Sequence, residues 1–204
     1  MERLTVHLQN PHKRTLDLIA ATLDKGGIAL VPGDTSYLLV ARIGRKNAIE
    51  KLNRIKERKK KFYSVMFRDL AELARYAEVT DKQYAVIKRT LPGPYTFILK
   101  ASREIPKIML EKRKEIGIRI PDSPFLRELI AACGEPIIVS TAGGSDDDEG
   151  FFVDPENDEP EWLHLVDILA DGGYLPAELT SIIRLDQDEF EIVRVGKGPV
   201  DQFE

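Results

Sequence analysis

Cysteine is nearly absent from this 204-residue chain. Cys133 stands alone, so no disulfide can close within the chain and no cysteine cluster can hold a metal. Histidine is scarce as well: His7, His12 and His164 are the only three, and no two stand four residues apart, so the paired histidines of a zinc-hydrolase helix are missing. The longest apolar runs fall well short of the ~18 residues that span a bilayer. The opening MERLTVHLQNP lacks the basic start and apolar core of an export signal. These absences predict a cytoplasmic, soluble, disulfide-free protein with no membrane contact. Neither staple nor metal is needed, because a chain of this length can bury on the order of 70% of its extended surface. With 43% hydrophobic and 31% charged residues, the composition is that of a globular protein.

The formal net charge of −4 hides two opposed blocks. Between positions 51 and 61 stand seven bases (Lys51, Arg54, Lys56, Arg58, Lys59, Lys60, Lys61) and one acid, Glu57. Between positions 146 and 161 stand nine acids and no base. The acidic block reads as solvated surface. The basic block follows a helical stripe (Ala48, Ile49, Leu52, Ile55) and precedes the strand-like YSVMF, so a scaffold aims its charges toward a polyanion, either nucleic acid or the phosphates of a nucleotide.

Periodicity divides the rest of the chain into short elements. Residues 3–8 alternate like a strand. Asn10-Pro11 reads as an N-cap with Pro at the first helical position, ahead of the stripe Leu16, Ile19, Ala20, Leu23. Apolar runs at 28–32, 36–41, 63–67, 95–101, 116–121 and 136–141 read as strands, and helices are expected at about 46–57, 69–77 and 81–91 and from Ser123-Pro124 to Gly134. Residues 142–162 are too long for a plain connector. LVDILAD, LTSIIRL and FEIVRVG read as late strands, separated by turns at Gly172-Gly173 and Asp186-Asp188. With no repeat and no linker, positions 1–204 are expected to form one α/β domain, a twisted sheet of mixed parallel and antiparallel strands with flanking helices.

Familiar nucleotide and hydrolase motifs are missing: there is no GxxxxGK[ST], no GxGxxG after a strand and no GxSxG. Polar residues instead punctuate strand ends, where open α/β sheets gather ligands: Gly33-Asp34-Thr35-Ser36, Arg119, Ser140-Thr141, Thr180-Ser181 and Arg194. Arg119 lies inside the apolar GIRIP. A buried guanidinium needs an anionic partner, which could be a ligand or a structural carboxylate.

The ordered segments GGIALVPGDTSYLL, Lys56-Glu57-Arg58, PGPYTFIL, GIRIPDSP, EPIIVSTAGG, GGYLPAELTSII and VRVGKG resemble the YrdC/YciO family over about 12–200, and GIRIPDSP leans toward its YciO branch. The resemblance implies a twisted sheet around a positively charged concave surface. It implies an activity that joins L-threonine, bicarbonate and ATP into threonylcarbamoyl-AMP and pyrophosphate, either in full or in a weakened, diverged YciO-type form. The product would feed threonylcarbamoyladenosine formation on tRNA through a separate transferase. By the same resemblance, Thr35, Arg119, Thr180 and Ser181 are expected at the threonine, and Lys56, Arg58, Thr96, Thr141 and Arg194 at the nucleotide, with Mg²⁺ travelling on the phosphates and no dedicated protein metal site. The family's SxN is Thr141-Ala142-Gly143 here, its first PTxT threonine is Gly33, and a histidine common in its VHI-like strand is Met66.

These residue types suit the reaction. Attack on an α-phosphate needs alignment of two anions and neutralisation of phosphate charge rather than a protein nucleophile, and no catalytic side chain is singled out. Lysine supplies a point charge and arginine a planar fork. The alternative reading is a protein that recognises structured double-stranded RNA or tRNA through the 51–61 block and Lys112-Arg113-Lys114. The lack of aromatic residues interleaved with these bases counts against single-strand reading.

Overall fold

The computed structural model describes residues 1–56, 63–110, 114–143, 150–186 and 189–203. Arg58 and the rest of 57–62, together with Lys112-Arg113, lie outside the described residues, as does most of the early acidic run.

Five helices and eleven strands are present among the described residues. The strands are β1 (Glu2–Thr5), β2 (Ala29–Pro32), β3 (Tyr37–Arg42), β4 (Ser64–Met66), β5 (Ala77–Glu78), β6 (Tyr95–Ala101), β7 (Glu115–Arg119), β8 (Ile137–Thr141), β9 (Ile168–Asp171), β10 (Ser181–Asp186) and β11 (Glu189–Arg194). The helices are α1 (Lys13–Asp24), α2 (Lys46–Lys56), α3 (Leu73–Tyr76), α4 (Asp81–Thr90) and α5 (Pro124–Cys133). One mixed sheet runs β1-β9-β2-β3-β8-β4-β7-β6-β10-β11, with β5 beside β6.

Local chemistry explains the ends. Ser123 caps α5 by accepting from the Leu126 N–H at 3.3 Å, Pro124 opens it, and Gly134 closes it in the left-handed region at φ 71°. Thr80 and Gln83 form a reciprocal capping box on α4. The expected start of α1 at Asn10-Pro11 is displaced to Lys13: the Asn10 N–H instead donates to His7 Nδ1 at 3.1 Å, which folds 7–10 into a turn before the helix.

Alternation along the strands separates two cores. One face carries Leu38 and Val40 of β3, Ile137 and Val139 of β8 and Met66 of β4 against Leu16, Ile19 and Leu23 of α1 and Phe125, Leu126, Leu129 and Ile130 of α5. The other carries Leu39, Val65, Phe97, Ile118 and Ile183 against Ile49, Leu52 and Ile55 of α2 and Val86 and Ile87 of α4. The α1/α5 layer stops at β4. Beyond it, on β7, β6 and β10, the same face continues with Gly117, Arg119, Thr96, Ile98 and Ile182, none of which joins that core. This helix-free part of the sheet is where the candidate residues gather.

The connection from β9 to β10 shows that the sheet is coiled. The pairings make these strands parallel in sense, so on a flat sheet the end of β9 and the start of β10 would lie at opposite strand ends and seven strand spacings, or roughly 34 Å, apart sideways alone. Only residues 172–180 join them, about 35 Å fully stretched. Accumulated right-handed twist of ~20–25° per strand turns the two ends toward each other and leaves a concave surface that 172–180 crosses as a strap. No helix among the described residues is long and apolar enough to cross a membrane.

Cys133 is buried on α5, and burial pushes its thiol up to about 11. The reactive thiolate is therefore depleted at pH 8. A thiol reagent is expected to label the native chain about a hundredfold more slowly than the chain in denaturant, measured by the absorbance of the released chromophore; equal rates would contradict this packing.

Candidate functional site

Cross-strand register places five of the relevant side chains in one row. Met66 of β4 pairs with Arg119 of β7. Phe97 pairs with Ile118, so Thr96 of β6 follows beside Arg119. Thr96 pairs with Ile182 of β10, and Ile182 with Arg194 of β11. Arg119, Thr96 and Arg194 therefore share the helix-free face.

Arg119 is 5% exposed. Its Nη2 donates to Asp34 Oδ1 at 2.8 Å and to Thr35 Oγ1 at 3.4 Å. Burial pulls the guanidinium below the usual arginine range, and the Asp34 carboxylate opposes that shift. Asp34 also accepts from the Asp122 N–H at 3.3 Å, tying the β2–β3 turn to the segment that enters α5. The anion that a buried arginine required is thus Asp34, which the sequence displayed in GDT without marking it as the partner. Two polar atoms here are buried with no hydrogen-bond partner, Arg119 Nε and Ser36 Oγ. Orphaned donors of this kind are costly unless another molecule satisfies them.

The turn that presents Thr35 is tight. The Gly33 N–H donates to Ser36 O at 2.9 Å, and a Cβ on Gly33 would stand 2.4 Å from that same oxygen. The Thr35 carbonyl accepts from Glu178 N–H at 2.7 Å, which pins the strap to the turn. Tyr37 anchors the strap's first residues: its hydroxyl donates to Gly173 O at 2.8 Å and accepts from the Gly172 N–H at 3.0 Å, and burial pushes the phenol up to about 12.

At the strap's far end, the Thr180 and Thr96 hydroxyls bond at 2.8 Å. Arg194 donates through Nε and Nη2 to Thr180 O at 3.0 and 2.9 Å and through Nη2 to Thr180 Oγ1 at 3.3 Å. Ser181 is fully buried; its hydroxyl donates to Gly198 O at 2.5 Å and accepts from the Gly196 N–H at 2.9 Å. It holds the turn that follows β11.

Lys56, 3% exposed, donates through Nζ to Thr141 O at 3.1 Å and to Gly143 O at 2.9 Å. Thr141 pairs with Leu38, and Ala142 N–H donates to Tyr37 O at 2.8 Å, so this cluster adjoins the Thr35 turn. Gly143 has φ 144°, and a Cβ there would meet the Phe151 backbone at 2.9 Å. This backbone favours glycine at 143. Arg58 lies outside the described residues.

The structure thus brings Thr35 to Arg119, Thr96 to Thr180 and Arg194, and Thr141 to Lys56, with the strap and the 33–37 turn linking the three groups. Of the bases described at 51–56, Lys51 is held by Asp167 at 2.9 Å, Lys56 is buried and Arg54 is exposed. A cavity of about 330 Å³ lined by Arg68, Asp69, Pro124, Arg127 and Glu128 lies at the start of α5, and no candidate residue lines it. Among the described residues, no group of three or more His, Cys, Asp or Glu side chains is arranged to hold a metal ion.

Two outcomes test this geometry. Asp34→Ala would leave the Arg119 guanidinium buried and uncompensated, and urea unfolding is expected to show a loss of about 3–5 kcal/mol; a loss below 1 kcal/mol would mean that the pair is dispensable. Gly143→Asn, which returns the family's amide, is expected to cost about 1–3 kcal/mol in the same measurement, because an L side chain is forced to an unfavourable φ against backbone. Unchanged stability would show that the 143–151 bridge yields freely.

A family model of the Sua5, YciO and YrdC proteins, described as "Telomere recombination", matches residues 21–196. YciO of Escherichia coli K12 is 37% identical over 200 residues, covering 97% of each chain. Its crystal structure superposes with a TM-score of 0.93 at 35% identity, covering 100% of both chains. Threonylcarbamoyl-AMP synthase of Bos taurus is 31% identical over 154 residues, 75% of this chain and 54% of that one. Sua5 of P. abyssi, crystallised with L-threonine, superposes with a TM-score of 0.88 at 20% identity, covering 99% of this chain and 59% of that one, which shows the shared fold. With a matching family model across most of its length, the same folded sheet and a full-length relative in YciO, this chain belongs to the Sua5/YciO/YrdC family.

Proposed function

We propose that this chain condenses L-threonine, bicarbonate and ATP into threonylcarbamoyl-AMP, for use by a separate transferase in tRNA threonylcarbamoyladenosine formation. The observation that carries the reading is the row Arg119–Thr96–Arg194 on the helix-free face, with the orphaned Arg119 Nε and Ser36 Oγ beside Thr35. Two relatives support it: a bovine protein named for this synthase activity, and a Sua5 structure that holds L-threonine.

In this reading Arg119, Thr35 and Ser36 receive the amino acid, and Arg194 with the Thr96–Thr180 hydroxyl pair faces the nucleotide. Ser181 shapes the strap's end through the 196–198 turn. Lys56 braces Thr141 and Gly143, while Arg58 is assigned to the phosphates by family resemblance. The threonine ammonium loses a proton, and the free amine then bonds to the carbon of CO₂ drawn from bicarbonate and gives up a second proton. A carbamate oxygen then bonds to the α-phosphorus as the bond to the bridging oxygen breaks, and pyrophosphate leaves with that electron pair. Mg²⁺ carried on the triphosphate would neutralise charge on the leaving group. The protein's contribution is alignment and exclusion of water around two anions.

The deciding assay is pyrophosphate release from ATP. Release that depends on both L-threonine and bicarbonate is expected, and release indifferent to threonine, or no release at all, would overturn the assignment. Arg194→Gln is expected to weaken ATP binding about tenfold, or about 1.4 kcal/mol, in calorimetry, without the same loss in threonine affinity. Equal losses for both ligands would remove Arg194 from the nucleotide side.

A further inference from the structure

The strap is fixed at its ends and lightly held between them. Gly172 and Gly173 bind the Tyr37 hydroxyl at its start, and Gly173 takes φ 81° with no atom within 4 Å of the place a Cβ would occupy. Thr180 at its end is 5% exposed and bonded to Thr96 and Arg194. Between these ends no residue is fully buried: Tyr174, Pro176 and Glu178 are exposed, and Leu175, Ala177 and Leu179 are partly buried. Among the described residues, three backbone hydrogen bonds tie this middle down: Leu175 N–H to Val153 O at 2.8 Å, Glu178 N–H to Thr35 O at 2.7 Å and Lys197 N–H to Leu179 O at 2.8 Å. The Glu178–Lys197 ion pair adds little, because both side chains reach solvent. Few buried contacts between firm anchors is the pattern of a segment that opens locally. The same ties show what the segment covers. Glu178 reaches the carbonyl of Thr35, whose hydroxyl meets Arg119, and Thr180 meets Thr96 and Arg194.

We infer that residues 174–179 form a gate across the cleft, and that Tyr37 is its latch, a positioning residue that holds the gate's first turn and takes no part in bond making. The inference rests on the proposed function for what passes beneath the gate, whereas the opening itself does not depend on it. A carbamate and a mixed anhydride with phosphate are both lost to water, so a cleft that forms them gains from a cover that closes over them and opens to admit ATP. Tyr37 suits a latch because its ring is buried and packs edge-on against Phe152 at 5.2 Å, while its hydroxyl alone reaches the strap. Tyr37→Phe therefore keeps the ring's packing and removes only the grip.

Amide exchange on the free full chain, followed by NMR, tests the gate. The Leu175 and Glu178 amides are bonded to separate elements, so a gate that opens as a unit is expected to exchange both at one rate, at least about tenfold faster than the paired amides of β9 and β10. Exchange as slow as in those strands would overturn the gate whatever becomes of the proposed function. In Tyr37→Phe the two amides are expected to exchange about tenfold faster while β9 and β10 keep their rates. No acceleration, or the same acceleration everywhere, would remove Tyr37 as the latch. Stopped-flow binding of ATP then reads what passes: in Tyr37→Phe, association and dissociation are both expected to quicken about tenfold with the affinity little changed. A change in dissociation alone would make Tyr37 a binding residue and overturn the gating role. A chain that binds no ATP overturns the proposed function and the gate's role in it, and leaves the opening to be judged by exchange.

Discussion

The ion pair between Asp34 and Arg119 is the contact around which the concave face is organised. Arg119 closes β7 and Asp34 lies in the β2–β3 turn, with β4, β8 and β3 between them in the sheet order. A guanidinium this deeply buried loses its hydration, and only an opposite charge at close range offsets that loss. The carboxylate does so while also accepting from the Asp122 N–H, so one side chain joins the turn before β3, the end of β7 and the approach to α5. The apolar cores on either face supply the bulk of the stability, but this contact fixes how the helix-free part of the sheet meets the part under α1 and α5.

Twist makes such a contact possible. In a flat sheet, strands this far apart could not bring Arg119 and Asp34 within bonding distance, nor could nine residues carry the chain from β9 to β10. Coiling solves both problems at once, and the strap then holds what coiling has brought together: Tyr37 grips its beginning, Thr35 its middle through Glu178, and Arg194 its end through Thr180. Residues from both halves of the chain therefore share one surface without any of them being close in sequence.

Elements with strong local signals were legible in the sequence. The strand 95–101 and the helix opened by Ser123-Pro124 and closed by Gly134 stand where periodicity and capping put them. The start of α1 was misread because His7, three residues earlier, accepts from the Asn10 N–H, a contact no pattern in the sequence announces. Gly172-Gly173 read as a turn between strands, whereas it opens a nine-residue crossing whose course is set by distant partners. In the site, the need for an anion near Arg119 was legible, but whether a ligand or a structural carboxylate supplies it was not, since pairing across the sheet depends on twist. Ser181 looked like a ligand residue from family resemblance, yet alternation along β10 turns it toward the core side with Ile183, where the 196–198 turn takes up its hydroxyl.

The departure from the family's SxN follows from the same local economy of backbone groups. At Gly143 the chain bridges to Phe151 at a φ that suits glycine, and the carbonyl so exposed, with that of Thr141, receives the Lys56 ammonium. An asparagine at this position would carry its amide on a backbone that excludes a Cβ, so glycine and the lysine brace form one arrangement and an asparagine belongs to another. Lys56, buried at the C-terminal end of α2, thereby ties that helix to the end of β8 and the residues that follow it.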